Sequence, residues 1–279
     1  MSKKKDILII YIFIVLEILI LFNSKSVINS VINSSKLFIL NVFPGLFPTM
    51  VIGKILVSCN VYKILPKFIR KIFNKLFNFD DVTTSIYIMS MLCGMPSNAI
   101  FINDYLERNI LTKDEASSLL KITHFINPLF VIGTVGINVL NSFKIGLILL
   151  LGMYFVSIIK AFLYRNTFKK HTVHMKENSN DITIVSDSIM QSIKSLLLIF
   201  GIIILFNILV TLLCSIFKLN LLFKTIINGI LEMTGGILYI KLLNIKYVYK
   251  VLLSFCFIMF GGICLKLQTI SMIKKDRTS

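Results

Sequence analysis

The sequence has few charged residues and lacks the motifs of common enzyme classes. Charged residues make up 15% of the 279 residues, whereas hydrophobic residues make up 56%. We find no phosphate-binding glycine loop, no GxSxG motif and no dinucleotide-binding fingerprint. We therefore expect no enzymatic activity, no catalytic residues and no cofactor.

Disulfide and metal-binding patterns are missing as well. The cysteines lie singly within or beside apolar segments, without a CxxC pair: Cys59, Cys93, Cys214, Cys256 and Cys264. The histidines, His124, His171 and His174, do not have the HExxH spacing of a zinc site. We expect reduced structural thiols and no bound metal.

Apolar sequence is what the chain has in excess. Its mean hydropathy of +0.85 indicates more apolar surface than one soluble core could bury. The net charge of +17 comes from basic residues placed in short segments between apolar runs. This pattern is typical of cytoplasmic loops in contact with anionic lipid. We predict an all-α, polytopic membrane protein that does not bind nucleic acid.

The first segment, residues 1–36, is interpreted as a span followed by an external loop. A basic start precedes the apolar run from Ile7 to Phe22, and no small-residue cleavage site follows it. Glu17 interrupts this run. Its carboxylate has either a function in the bilayer or a place against a neighbouring helix or the interface.

A second span is predicted from Leu37 to Cys59. Pro44 and Pro48 lie about one turn apart and should kink it on one face, since each removes a backbone donor. Lys54, near the end of this span, is expected to extend its amine to the interface.

Residues 61–79 alternate apolar and basic positions at helical spacing. We predict a helix lying in the cytoplasmic interface rather than crossing it. The basic face would bind anionic lipids through Lys63, Lys67, Arg70, Lys71 and Lys75.

Residues 82–105 contain a helix-breaking group, Gly94-Met95-Pro96. Because the basic segments on either side belong in the cytoplasm, we predict a re-entrant hairpin with this group at its tip. Each arm would reach roughly the middle of the bilayer. Thr112 and Glu115 should form a capping box for the next helix.

That next helix is predicted to break at Asn127-Pro128. The break would expose carbonyls near His124 and amides after Pro128, which could bind a polar solute or a cation. The alternative is a proline kink whose free carbonyl is satisfied by Asn127 or Thr123. The sequence does not decide between them.

Residues 37–163 and 188–272 are predicted to form two repeats, joined by a polar cytoplasmic linker over 164–187. Ser186 or Asp187 would cap the helix after the linker, and residues 273–279 form a basic tail. The second repeat again contains a span, a hairpin and a broken helix. Because its orientation would be inverted, the repeats should share a site at the midplane.

Glu232 is the most distinctive residue of the second predicted hairpin. An ionisable side chain at such a tip, next to glycines that permit close helix approach, is a candidate functional group. It could equally be a structural carboxylate bound to backbone. The candidate substrate-binding residues are Gly94, Pro96, Asn98, His124, Asn127, Pro128, Glu232, Gly235, Gly261 and Gln268.

Five segments in order carry a family resemblance over about residues 37–272. They are FPGLFP, GMP, LTKDEASSLLKITHFINPLFVIGTVG, GILEMTGG and FGGICLKLQ. Together they resemble membrane proteins of the nucleoside-recognition (Gate) domain family that act in sporulation. The resemblance implies a fold similar to concentrative nucleoside transporters, a place in the cell membrane of a sporulating bacterium and a need for the protein in spore cortex formation.

Two functions remain open from the sequence. One is a transporter-like pathway for a small-molecule solute, which paired broken helices and a buried Glu232 favour. The other is a non-transporting membrane scaffold for assembly of the spore envelope.

Overall fold

A computed structural model describes residues 3–168 and 181–273, and within these ranges all regular structure is helical. The first half contains α1 (Lys3–Phe22), α2 (Ser24–Leu37), α3 (Phe43–Ser58), α4 (Lys67–Phe77), α5 (Asp81–Cys93), α6 (Ser97–Glu107), α7 (Lys113–Ile122) and α8 (Phe143–Leu163). The second half contains α9 (Asp181–Phe217), α10 (Leu221–Leu231), α11 (Met233–Ile240), α12 (Tyr247–Phe260) and α13 (Gly262–Met272). π-Helical segments occupy Phe38–Val42 and Phe130–Val139.

Four helical stretches of the described chain are long and apolar enough to cross a membrane. They are Ser24–Ser58, Phe143–Leu163, Thr183–Phe217 and Tyr247–Met272. A span of the hydrocarbon core needs about 20 apolar residues, and each stretch meets that length. The prediction of an all-helical, multi-pass membrane protein is confirmed.

The external loop predicted before residue 37 is wrong, because Ser24–Leu37 forms helix α2. Its serines and asparagines resemble a loop in composition, but Val27, Ser30 and Ser34 are buried. The Ser34 hydroxyl donates to the Ser30 carbonyl oxygen at 2.7 Å, and the Thr211 hydroxyl of α9 donates to Ser30 Oγ at 2.9 Å. Packing against α9 therefore makes this polar segment helical.

Lys54 does not extend to the interface as predicted. Lys54 is only 8% exposed, and its Nζ lies 3.2 Å from Oδ1 of Asp104 in α6. Arg108 approaches the other carboxylate oxygen of Asp104 at 3.5 Å. The lysine is therefore paired across two helices, which only the tertiary fold could show.

The predicted interfacial helix is shorter than 61–79. Residues 61–63 form a 3₁₀ turn, and α4 begins after Pro66. Phe73 and Phe77 of α4 pack against Tyr87 of α5, with ring centroids 5.8 and 6.3 Å apart. Arg70, predicted to contact lipid, binds Asp81 at 2.9 Å.

The start of the second half also differs from its prediction. Ser186 and Asp187 lie inside α9 rather than at its cap, since the helix already includes Asp181. Most of the predicted linker, 169–180, and the tail after residue 273 lie outside the described residues.

Two short helix pairs and two interrupted helices surround the centre of the molecule. The pair α5–α6 is interrupted at Gly94–Pro96 and the pair α10–α11 at Glu232. A break over residues 123–127 separates α7 from the helical segment that continues into the second π-helical stretch, and Gly261 separates α12 from α13. One apolar core joins both halves and includes Tyr87, Phe101, Phe125, Met153, Ile237 and Ile258.

Candidate functional site: a cavity between four chain interruptions

The four interruptions meet at one cavity of about 60 Å³, which we call the central cavity. Five of the predicted site residues line this cavity: Pro96, Asn127, Glu232, Gly261 and Gln268. These residues come from all four interrupted elements, so parts of the chain far apart in sequence converge here. A water molecule needs about 10–15 Å³ by the same measure, so the cavity has room for a few waters.

The first hairpin tip is fixed by close contact with the break after α7. Gly94 has φ +74°, and a Cβ on this residue would lie 2.5 Å from the backbone nitrogen of Asn127. The Met95 amide donates a hydrogen bond to the Phe125 carbonyl oxygen at 2.6 Å, and the Met95–Pro96 peptide bond is cis. Only glycine satisfies both the conformation and the contact at this position.

Asn98 stabilises the same break from α6. Its side-chain nitrogen lies 3.0 Å from both the carbonyl oxygen and the hydroxyl oxygen of Thr123. Asn98 is fully buried and does not line the central cavity. The helix end left open by the break is thus satisfied from the neighbouring hairpin.

Asn127 holds three separate elements together. Its amide nitrogen is within 3.2 Å of Gly45 O, Thr49 Oγ1 and Cys93 O. Its side-chain oxygen accepts from the Leu129 amide at 2.9 Å. Asn127 therefore accepts from a freed amide at the break and also forms part of the cavity wall. The kink interpretation predicted that Asn127 or Thr123 would satisfy a freed carbonyl, whereas the Thr123 carbonyl is bound by Asn98.

Glu232 caps α11 from inside the protein. Its carboxylate accepts hydrogen bonds from the amides of Thr234 at 3.0 Å and Gly235 at 2.6 Å. The residue is 3% exposed and lines the central cavity. The carboxylate is therefore bound to backbone, as the structural interpretation predicted, and it also lines the central cavity. Its role as a functional group stays a prediction.

Glycine allows α10 and α11 to touch backbone to backbone. A Cβ on Gly236 would lie 2.3 Å from Cα of Gly229, which leaves no room for any side chain. This is the close approach that small residues permit between membrane helices.

His124 lies beside the cavity rather than in its wall. A Cβ on Gly261 would be 2.7 Å from the His124 ring, and Nε2 of His124 is buried without a hydrogen-bond partner among the described residues.

Pro128 and Gly235 also lie outside the central cavity. In that cavity, the Gln268 amide nitrogen lies 3.2 Å from Sγ of Cys264.

The sequence analysis missed Asn41, Thr234 and Cys264, which also line the central cavity. Two further cavities with polar and charged side chains in their walls were not predicted either. The Asp104 chamber, about 310 Å³, is lined by Lys54, Ser58, Asp104, Arg108, Asp187 and Gln191, among others. The Lys224 chamber, about 380 Å³, is lined by Lys36, Asn41, Asn207, Lys224, Asn228 and Tyr239, among others.

These three spaces follow one another along the same helices. On α9 the lining residues run from Gln191 in the Asp104 chamber, through Ile199 and Ile203 in the central cavity, to Asn207 in the Lys224 chamber. Asn41 lines both the central cavity and the Lys224 chamber. The sequence signal for these cavities is the set of polar residues within α2 and α9. Apolar residues surround these positions, so they were not recognised as part of a site.

Comparison with known proteins gives one clear similarity. Over 190 residues the chain is 22% identical to the sporulation integral membrane protein YlbJ of Bacillus subtilis (strain 168). The alignment covers 60% of this chain and 47% of that protein, so the chain spans about half the length of its relative. No family model matches the chain, and membership of the Gate domain family stays a prediction. No solved structure matches it.

Proposed function

We propose that the protein is a transporter-like pathway for a small polar solute. The observation that carries this proposal is the order of the three cavities along α9, with four chain interruptions around the middle one. Polar groups inside a membrane are costly, and they concentrate where a solute or ion must pass. A protein that served only as a scaffold would have little use for a row of cavities that contain a buried carboxylate and buried polar side chains.

The dimensions fit a route across a bilayer. Gln191 and Asn207 lie sixteen residues apart on α9, which corresponds to about 24 Å along a helix at 1.5 Å per residue. The hydrocarbon core is about 30 Å thick. With the basic segments in the cytoplasm, the Asp104 chamber faces inward and the Lys224 chamber faces outward.

The central cavity is the closed part of the proposed route. About 60 Å³ holds a few waters, so a metabolite could pass only after the surrounding elements move apart. The two hairpin tips and the two broken helices form its walls, and inverted repeats of this kind alternate access by moving against each other. Glu232 is the ionisable group that a passing solute would meet.

The biological setting is proposed from the relative. The name of YlbJ describes a sporulation integral membrane protein. This similarity supports a place in the cell membrane of a sporulating bacterium. We further propose a role in spore cortex formation.

Cysteine accessibility tests the route without knowledge of the solute. Cys264 lines the central cavity, and Ser30→Cys and Ser58→Cys would report on the Lys224 and Asp104 chambers. Three proteins are prepared, each with one of these cysteines as its single cysteine, and each is inserted into vesicles. A membrane-impermeant thiol reagent is then added to one side of the vesicles at a time.

A pathway predicts that Ser30→Cys reacts from outside, Ser58→Cys reacts from inside, and Cys264 reacts slowly from at least one side. Cys93 as the single cysteine is the control, because it is buried and lines none of the three spaces. Reaction of Cys264 no faster than that of Cys93 from both sides would favour the scaffold.

A further inference from the structure

The Lys224 chamber contains polar atoms that the protein itself does not satisfy. Oδ1 of Asn228 and Nδ2 of Asn207 are both buried without a hydrogen-bond partner among the described residues. Asn228 is 3% exposed, and both residues line the chamber. Because an unpaired buried amide group is costly, a bound molecule that pairs with it is favoured.

The charge of the chamber has one sign. Lys36 and Lys224 line it, and its described lining includes no aspartate or glutamate. Neither lysine forms an ion pair within the described part of the chain. The Lys224 amine lies 4.8 Å from the ring centroid of Tyr239, which holds it over an aromatic face.

We propose that this chamber binds a small carboxylate solute that also carries a hydroxyl or amino group. Lysine amines and the Asn207 amide nitrogen are donors and would receive the carboxylate, whereas the Asn228 oxygen is an acceptor and requires a donor from the ligand. An anion without a donor would leave Asn228 unpaired, and a neutral solute would leave the lysines without a counter-charge.

Gly235 lies between Asn228 of this chamber and Glu232 of the central cavity. A Cβ on this residue would lie 3.0 Å from Oε2 of Glu232 and 3.1 Å from Oδ1 of Asn228, so the glycine lies between the two side chains. A solute bound to Asn228 would thus be separated from the Glu232 carboxylate by Gly235 alone. This inference deepens the proposed function by naming a solute class, but the binding step itself requires no passage through the protein.

Binding is measured with the purified full chain in detergent by equilibrium dialysis of radiolabelled L-malate, L-lactate, L-serine and L-glutamate. We expect saturable binding of at least one. For an L-malate site, succinate lacks the hydroxyl and should bind about tenfold more weakly, and dimethyl L-malate lacks the charges and should not compete.

The variants identify the chamber. Lys224→Met should reduce affinity at least about tenfold, because a charge-assisted contact is lost while most of the apolar side chain is kept. Asn228→Leu should have a similar effect and remove the preference for L-malate over succinate. Lys246→Met is the matched control, because Lys246 is an exposed lysine outside the chamber. The affinity of this variant for the bound carboxylate should be unchanged.

Monodisperse elution and an unchanged helical circular dichroism spectrum show that each variant is folded. Absence of binding by all four carboxylates, or an equal loss in Lys224→Met and Lys246→Met, would overturn the proposal. Binding without cysteine access to the central cavity would retain this site and remove the pathway instead.

Discussion

Met95 and Phe125 are joined by a backbone hydrogen bond of 2.6 Å between two separate chain interruptions. The donor belongs to the tip of the first hairpin, and the acceptor belongs to the break after α7. Each interruption thus supplies what the other lacks. Non-helical backbone at membrane depth is tolerated only where such partners exist.

Removing the Asn98 amide should destabilise the break after α7. Asn98→Ala leaves the Thr123 carbonyl oxygen without the Asn98 amide, and we expect a loss of about 1–3 kcal/mol in the free energy of unfolding. Unfolding in mixed micelles with increasing sodium dodecyl sulfate measures it. Asn103→Ala, at a surface position of the same helix, should change stability by less than about 0.5 kcal/mol. Equal losses in both variants would contradict this assignment.

Glu232 should tolerate an amide better than an apolar side chain. The Thr234 and Gly235 amides bind different oxygens of the Glu232 carboxylate. Glu232→Gln keeps one of these acceptors and loses the other, so it should cost less stability than a side chain with no acceptor. Glu232→Leu should lose about 0.5–2 kcal/mol, the usual cost of a lost helix cap. Thermal melting of both variants in detergent measures the difference.

The two Glu232 variants also separate stability from function. Once the solute is identified, uptake by proteoliposomes containing Glu232→Gln should fall although the protein is folded and inserted. Normal uptake by this variant would restrict Glu232 to its capping role.

A methyl group at Gly236 should push α10 and α11 apart. Gly236→Ala should cost about 1–3 kcal/mol, because a Cβ there would lie 2.3 Å from the Gly229 backbone. Gly201→Ala is the matched control on α9, where a Cβ meets no atom within 4 Å. It should stabilise the protein by up to about 1 kcal/mol through helix propensity. Chemical unfolding measures the stability of both variants. If both substitutions changed the free energy of unfolding in the same direction, the close contact at Gly236 would be contradicted.

The ion pair between Lys54 and Asp104 should matter more than the pair between Arg70 and Asp81. Side chains of the first pair are 11% and 19% exposed, whereas those of the second are 31% and 46% exposed. Lys54→Met should cost about 1.5–3 kcal/mol, since it leaves Arg108 as the one ion-pair partner of this partly buried carboxylate within the described part of the chain. Arg70→Met should cost about 0–1 kcal/mol. A double-mutant cycle with Asp104→Asn measures the coupling of the first pair.

Much of the helical order could be predicted from the sequence, because glycine, proline and isolated polar residues in apolar runs mark helix interruptions. The capping box of Thr112 and Glu115 was predicted and is confirmed. Glu232, predicted at a hairpin tip, lies between α10 and α11. Local rules suffice at these positions, since each depends on residues within one turn.

Other features depend on partners far away in the chain. The segment Ser24–Leu37 is polar enough to resemble a loop, and only its packing on α9 makes it helical. Lys54 and Asp104 are fifty residues apart, and Asn98 and Thr123 are twenty-five apart. Composition and periodicity contain no information on which of many polar residues will meet across helices.

The contact between Gly229 and Gly236 has a mechanical consequence. Because the backbones of α10 and α11 touch there, the two arms cannot separate next to the tip without breaking that contact, and we expect the hairpin to move as one rigid unit. Its freedom to pivot is then left to its outer connections, near Asn220 and after Ile240. Any swing that widens the space next to Glu232 would carry Asn228 with it.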